Sequence, residues 1–177
     1  MQFALLAALV TAAAAAIADH RTGEISNWIT LPPAIGAPLL YGVLLGPEQA
    51  VRSVSSLLLC GSVPCLLFYR GAMGGGDVKL LATLGAVTGS DLLTGLEIQL
   101  VSFLVAALTA SVVLTWRGML LSTLLRAGRS ALRRVLRRPD TSPRPELPFT
   151  SLRLGAPVFL GTAAVVLPAL LRNAVFR

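Results

Sequence analysis

Long apolar runs separated by short polar segments dominate the chain. Each run approaches the roughly 20 residues that an α-helix needs to cross the hydrocarbon core of a bilayer. No positively charged segment precedes the first run, so we expect it to be a helix rather than a cleaved signal peptide. The five longest runs are Gln2–Ala18, Trp28–Gly46, Val51–Phe68, Ile98–Trp116 and Leu154–Leu171.

One further apolar run, the fourth along the chain, begins near Val78 and is harder to interpret. Its core, Leu80–Gly89, is short for a membrane span and is also compatible with a re-entrant segment. Extending the run to about Leu96 gives it a spanning length but places Asp91 inside it.

The distribution of charge favours the interpretation that this fourth run crosses the membrane. If it crosses, the loops at 19–27, 70–79 and 117–153 share one side, with Arg21, Arg70, Lys79 and nine arginines of the last loop. Such an excess of basic residues is typical of cytoplasmic loops. We therefore predict one membrane domain, 1–177, with about six transmembrane helices and both ends outside the cytoplasm. The opposite side would hold Arg52, Arg172 and Arg177 beside Glu48, Asp91 and Glu97.

Composition agrees with a membrane protein. Only 13% of residues are charged and the mean hydropathy is +0.77, whereas a soluble domain carries about 25% charged residues. The net charge of +7 arises largely from nine of the 15 basic residues, which fall between Arg117 and Arg153 with a single aromatic residue, Phe149, among them. This arrangement indicates a segment that orients the protein in the membrane, not a nucleic-acid-binding surface.

The basic loop has helical periodicity from Leu121 onward, with apolar residues on one face and arginines on the other. It is therefore predicted to form an amphipathic helix that lies in an anionic leaflet or packs on the bundle. Pro139–Pro148 is then predicted to be an extended linker. The two cysteines, Cys60 and Cys65, are interpreted as packing residues. One histidine and no CxxC pair predict no metal site.

Two aspartates stand at the predicted cytoplasmic boundary. Asp19 follows the first apolar run, and Asp77 follows the glycines Gly74, Gly75 and Gly76. Ionisable residues at such positions suggest function, although boundary charges or helix caps are the alternative. Two adjacent carboxylates share a proton, so the ionised one can activate water while the other polarises an amide carbonyl. Because a helix N-terminus favours negative charge, Asp77 is predicted to ionise more easily.

Two segments resemble the motifs of a known family. Asp19 to Asn27, after a first apolar helix, is similar to the Asp and Ile-Pro-Asn pattern of type IV prepilin peptidases, with Ser26 in place of the proline. Gly74 to Leu80, Gly-Gly-Gly-Asp-Val-Lys-Leu, resembles the family's GxGDxK motif. Leu147-Pro148-Phe149 before the last span is similar as well. The small chain size resembles the short members from tight-adherence pilus systems.

The resemblance implies an intramembrane aspartic endopeptidase of the bacterial cytoplasmic membrane with Asp19 and Asp77 as its catalytic pair. Its partner would be the leader of a prepilin or pseudopilin, cut at the cytoplasmic face without metal or organic cofactor. Lys79 is expected to pair with Asp77, contact substrate or anchor the helix, and Asn27 to orient a loop or cap a helix. Ser26 is expected to cap the second helix. The alternative is a non-catalytic transporter or pilus-assembly subunit with the aspartates as boundary or proton-path residues.

Overall fold

The computed structural model describes residues 2–89, 91–116, 125 and 154–175, with side chains of the last segment described up to residue 172. In these segments the chain is helical apart from short connections, as predicted for an all-α membrane bundle. Every helix except α4 is long and apolar enough to cross a membrane. The helices are α1 (Gln2–Thr22), α2 (Asn27–Leu45), α3 (Pro47–Tyr69), α4 (Gly75–Val87), α5 (Leu92–Trp116) and α6 (Gly155–Val175).

Of the two ends considered for the apolar run that begins near Val78, the structure excludes the longer one at about Leu96. Helix α4 ends at Val87, and α5 begins at Leu92. Asp91 lies between them: its Oδ1 accepts a hydrogen bond from the Leu93 amide at 3.1 Å, and its Oδ2 accepts one from Thr94 Oγ1 at 2.8 Å. The acid therefore caps the start of α5 instead of lying within an apolar span.

Helix α4 has 13 residues, which at 1.5 Å per residue gives about 20 Å against about 30 Å of hydrocarbon core. Two of its residues, Lys79 and Val87, nevertheless contact opposite halves of α2. Lys79 Nζ donates to Asn27 Oδ1 at 2.8 Å, and Tyr41 Oη donates to the Val87 carbonyl at 2.6 Å. Helix α4 therefore runs beside α2 between these two contacts. Five of the described helices are long and apolar enough to span a membrane, and the sixth crossing stays a prediction.

Close packing and side-chain hydrogen bonds hold α4 inside the bundle. Leu80, Leu81 and Leu84 are almost fully buried. A Cβ at Gly85 would lie 2.7 Å from both Cys60 Cβ and the Ser56 carbonyl, so α3 and α4 approach each other at backbone distance. Together with Tyr41, Ser53 Oγ satisfies the C-terminal end of α4, donating to the Ala86 carbonyl at 2.7 Å. Lipid offers no such donors.

The two cysteines are free, and Cys60 is buried at the contact with α4. This agrees with their interpretation as packing residues.

The chain divides into two compact units, Met1–Ala106 with Arg153–Arg177, and Ala107–Leu152. All the residues of the candidate site belong to the first unit. The predicted basic amphipathic helix, the proline-rich linker and the Leu147-Pro148-Phe149 motif lie outside the described residues, apart from Leu125. The single membrane domain over residues 1–177 stays a prediction.

Candidate active site

Asp19 lies in the last turn of α1 and is only 6% exposed. Its Oδ2 accepts a hydrogen bond from the backbone N–H of Gly155, the first residue of α6, at 2.9 Å. A buried carboxylate is costly without such a partner, and the first N–H groups of a helix have no acceptor within the helix. The contact therefore satisfies both groups. The sequence analysis missed Gly155. The sequence feature that could have identified it is a glycine at the start of the last apolar run.

Asp77 lies in the first turn of α4 and is partly buried. It accepts a hydrogen bond from the backbone of Gly74, the N-cap residue of the helix. An acidic residue at the third helical position commonly reaches back to the N-cap N–H in this way. A Cβ at Gly74 would lie 3.1 Å from Asp77 Oδ2. The absence of a side chain at Gly74 therefore leaves room for the carboxylate over the helix start.

The electrostatics of Asp77 depend on Asp19. Burial, followed by the negative charge of Asp19, raises the pKa of Asp77 to about 6, and the hydrogen bond from Gly74 opposes this rise. The sequence analysis expected the helix N-terminus to favour the ionised form of Asp77, whereas the pKa of this carboxyl group is raised. Desolvation and a like charge outweigh the helix dipole here. The two aspartates that the sequence analysis singled out are thus near enough for the charge of Asp19 to raise the pKa of Asp77.

Gly75 and Gly76 allow neighbouring elements to pack against the start of α4. A Cβ at Gly75 would lie 3.4 Å from the ring of Phe68, at the end of α3. A Cβ at Gly76 would lie 3.1 Å from Ile25 Cβ and 3.4 Å from the Ile25 amide nitrogen, in the segment between α1 and α2. The triglycine run therefore holds Asp77 close to the chain segment that follows Asp19.

Lys79 and Asn27 join the two motifs directly through their 2.8 Å hydrogen bond. The sequence analysis did not identify this partner for Lys79. A second contact lies one turn deeper, where Thr83 Oγ1 donates to the Thr30 carbonyl at 3.1 Å. Ser26 caps α2 as predicted, because its Oγ accepts a hydrogen bond from the Trp28 amide at 3.3 Å. Serine thus stabilises the start of the helix where the motif has proline.

We expect Lys79→Ala and Asn27→Ala each to lower the free energy of unfolding by about 1 kcal/mol, the usual net value of one hydrogen bond. The double variant should be little worse than either single variant, because both changes remove the same contact. Thermal unfolding of the detergent-solubilised protein measures this cycle. Single effects that simply add would contradict the predicted coupling.

An open apolar groove begins beside this contact. It has a volume of about 600 Å³ and follows one face of α2 from the site end. Two prolines inside the helix, Pro32 and Pro33, lie along this part of α2. The groove is lined by Asn27, Trp28, Leu31, Pro32, Ile35 and Gly36.

The arrangement suits acid–base chemistry. A carboxyl group with a pKa of about 6 exchanges its proton near neutral pH, as a general acid or base must. The charge of a second, buried carboxyl group, Asp19, acts on it, and such a pair is suited to dividing acid and base roles. Within the described residues no three His, Cys, Asp or Glu side chains form a potential metal-binding cluster.

Comparison with known proteins assigns the chain to a family. No curated protein and no solved structure matches it significantly. The sequence profile of the type IV leader peptidase family matches residues 5–117, which include Asp19, Asn27, the triglycine run, Asp77 and Lys79. Its apolar helices agree with an integral membrane protein. The match covers well over half of the chain, which therefore belongs to the type IV leader peptidase family of peptidases.

Proposed function

We propose that the protein is an aspartic endopeptidase in which Asp19 and Asp77 form the catalytic pair. The observation that carries the proposal is the effect of Asp19 on Asp77, whose pKa rises to about 6 through burial and the neighbouring negative charge. Charges that only mark a membrane boundary need not lie near one another, whereas the two carboxyl groups of a catalytic pair must be close enough to divide acid and base roles.

The environments of the two carboxyl groups suggest their roles. Asp19 accepts the N–H of Gly155 and acts as the ionised member, which removes a proton from water as its oxygen attacks the amide carbon. Asp77 acts as the protonated member and gives its proton to the carbonyl oxygen. When the C–N bond breaks, the proton taken up by Asp19 passes to the leaving amine, and the proton on the former carbonyl oxygen returns to Asp77 as the carboxylic acid product forms. The sequence analysis assigned these two roles in the opposite order.

The substrate we propose is the leader of a prepilin or pseudopilin precursor, cut where it meets the hydrophobic segment. The family match supports a leader peptide as the substrate class. The groove beside Asn27 offers an apolar surface at the site end of α2, which suits a substrate with a hydrophobic segment next to its cleavage point.

We place the site at the cytoplasmic face of a bacterial inner membrane. Arg21, Arg70 and Lys79 lie on segments at the site end of the bundle, whereas Glu48 and Asp91 lie at the starts of α3 and α5, at the other end. Basic residues mark cytoplasmic segments. The arginine-rich loop, 117–153, would contact anionic lipids on the same side.

Coexpression with a pilin precursor tests the proposal, in a host that lacks its own leader peptidase. Mass spectrometry should show a single cut before the hydrophobic segment. The purified reaction should continue in EDTA, because in this mechanism carboxylates activate the water. Uncut precursor in membranes that contain both proteins would favour the non-catalytic alternative. Loss of cleavage in EDTA would contradict the aspartic mechanism.

A further inference from the structure

Helix α6 lies outside the residues 5–117 that carry the family match, yet its first residue contacts Asp19. The Gly155 N–H is 136 positions from Asp19 along the chain, and the hydrogen bond between them is buried. The Leu154 carbonyl accepts the Val158 amide at 2.9 Å, so the first turn of α6 is closed at this point. Gly155 is therefore held by a formed helix and not by a loose connection.

The contact depends on glycine at position 155. A Cβ there would lie 2.8 Å from both Cβ and Oδ2 of Asp19 and 3.1 Å from Cα of Ala16. Real Cβ contacts do not occur below about 3.0 Å. Two of these atoms, Asp19 Cβ and Ala16 Cα, are fixed close to the backbone of α1. Any side chain at Gly155 must therefore displace the carboxylate of Asp19 or separate α6 from α1.

The packing of α1 against α6 shows why such separation is unfavourable. Small residues of α1, Ala8, Ala12 and Ala15, are completely buried. Val158 and Val166 of α6 are buried in the same hydrophobic core. This close fit leaves little room for α6 to move outward. Because Asp19 Cβ and Ala16 Cα are fixed to the backbone of α1, a Cβ at position 155 shifts the end of α1, and the Asp19 carboxylate moves with it relative to the Gly155 N–H.

We propose that Gly155 is a positioning residue that fixes the carboxylate of the catalytic Asp19 through the first amide of α6. This role rests on the proposed aspartic peptidase function. Gly155 touches neither substrate nor reacting atoms in this scheme and acts only through Asp19. Its N–H orients Oδ2, and its lack of a side chain permits the 2.9 Å approach. The last helix thereby completes a site whose known motifs are both in the first half of the chain.

The kinetic test compares Gly155→Ala with Gly161→Ala on a pilin precursor. Gly161 is a matched steric control on the same helix, because a Cβ there would lie 2.5 Å from Ser102 Oγ and 2.7 Å from both Cα and the amide nitrogen of Ser102, away from Asp19. We expect Gly155→Ala to lower kcat about 100-fold with little change in KM, the effect of misplacing a catalytic group by about 1 Å. Unchanged kcat, or an equal loss in folded Gly161→Ala, would overturn the proposal.

A second test needs no substrate and remains decisive if Gly155→Ala does not fold or the wild-type protein cleaves no precursor. Asp19→Asn retains an acceptor for the Gly155 N–H, whereas Asp19→Ala leaves that buried donor unpaired. Asp19→Ala should therefore unfold at a clearly lower temperature than Asp19→Asn. The matched pair Asp77→Ala and Asp77→Asn should differ less, because Gly74 is exposed. Equal gaps in the two pairs would overturn the contact proposed for Gly155.

Discussion

Asp77→Asn and Asp19→Asn should each reduce precursor cleavage about 1000-fold or more, because either change removes one of the two groups that move protons in the reaction. The double variant should be no less active than the single variants, since the two groups act as a unit. Cleavage is measured with purified protein and a pilin precursor, with initial rates from gel or mass-spectrometric analysis.

Asparagine is the informative replacement because it preserves shape and accepts hydrogen bonds but does not ionise. The Asp19→Asn variant can still accept the Gly155 N–H, and the Asp77→Asn variant can still accept the hydrogen bond from the Gly74 backbone, so both variants should fold. Asp91→Asn is the matched control: Asp91 caps α5 at the opposite end of the bundle. Its rate should match the wild type. Processing that survives both single substitutions would show that the aspartates are boundary residues.

Sequence patterns predicted the two halves of the site for a physical reason. Charged residues next to apolar runs are rare because charge is unfavourable in lipid. Asp19 and Asp77 could therefore be singled out from their positions in the sequence. Charge asymmetry between loops then placed them at the same end of the bundle. The glycines before Asp77 indicated close packing, and the structure identifies Ile25 and Phe68 as the neighbours that need this space.

The contact with Gly155 was beyond such patterns. It joins residues 136 positions apart, and no local periodicity encodes which helix end will meet which carboxylate. The end of α4 was similarly undecided: the sequence analysis noted that the run is short as far as Gly89 but could not choose between that end and about Leu96, and the helix ends at Val87. Only tertiary contacts, Tyr41 with Val87 and Ser53 with Ala86, show how a short helix can end within the bundle.

The pKa of Asp77 is raised despite its position at a helix N-terminus, because the helix dipole is a local effect. A helix N-terminus stabilises a carboxylate by up to about 1 kcal/mol at exposed sites. Burial and the charge of Asp19 act in the opposite direction and prevail, and neither can be quantified from the sequence. The raised pKa of Asp77 leads to a prediction of how the reaction depends on pH.

We expect kcat/KM for cleavage to fall as the pH rises above about 6, approaching a tenfold loss per pH unit. The active state of the pair carries one proton, which in the proposed mechanism belongs to Asp77. The pKa of Asp77 is raised to about 6, so this carboxyl group keeps its proton below that pH and loses it above. Because kcat/KM reports the free enzyme, its profile is the direct test of this titration.

The profile of kcat should be displaced to higher pH than that of kcat/KM. A bound leader excludes water from Asp77, and further desolvation raises the pKa of a carboxyl group, so the proton is retained closer to neutral pH once substrate is bound. Asp91→Asn should leave both profiles unchanged because that residue lies at the far end of the bundle. If kcat/KM instead rises through pH 6, the ionised form of Asp77 is the active one. It would then be the base that activates water, and Asp19 would carry the proton.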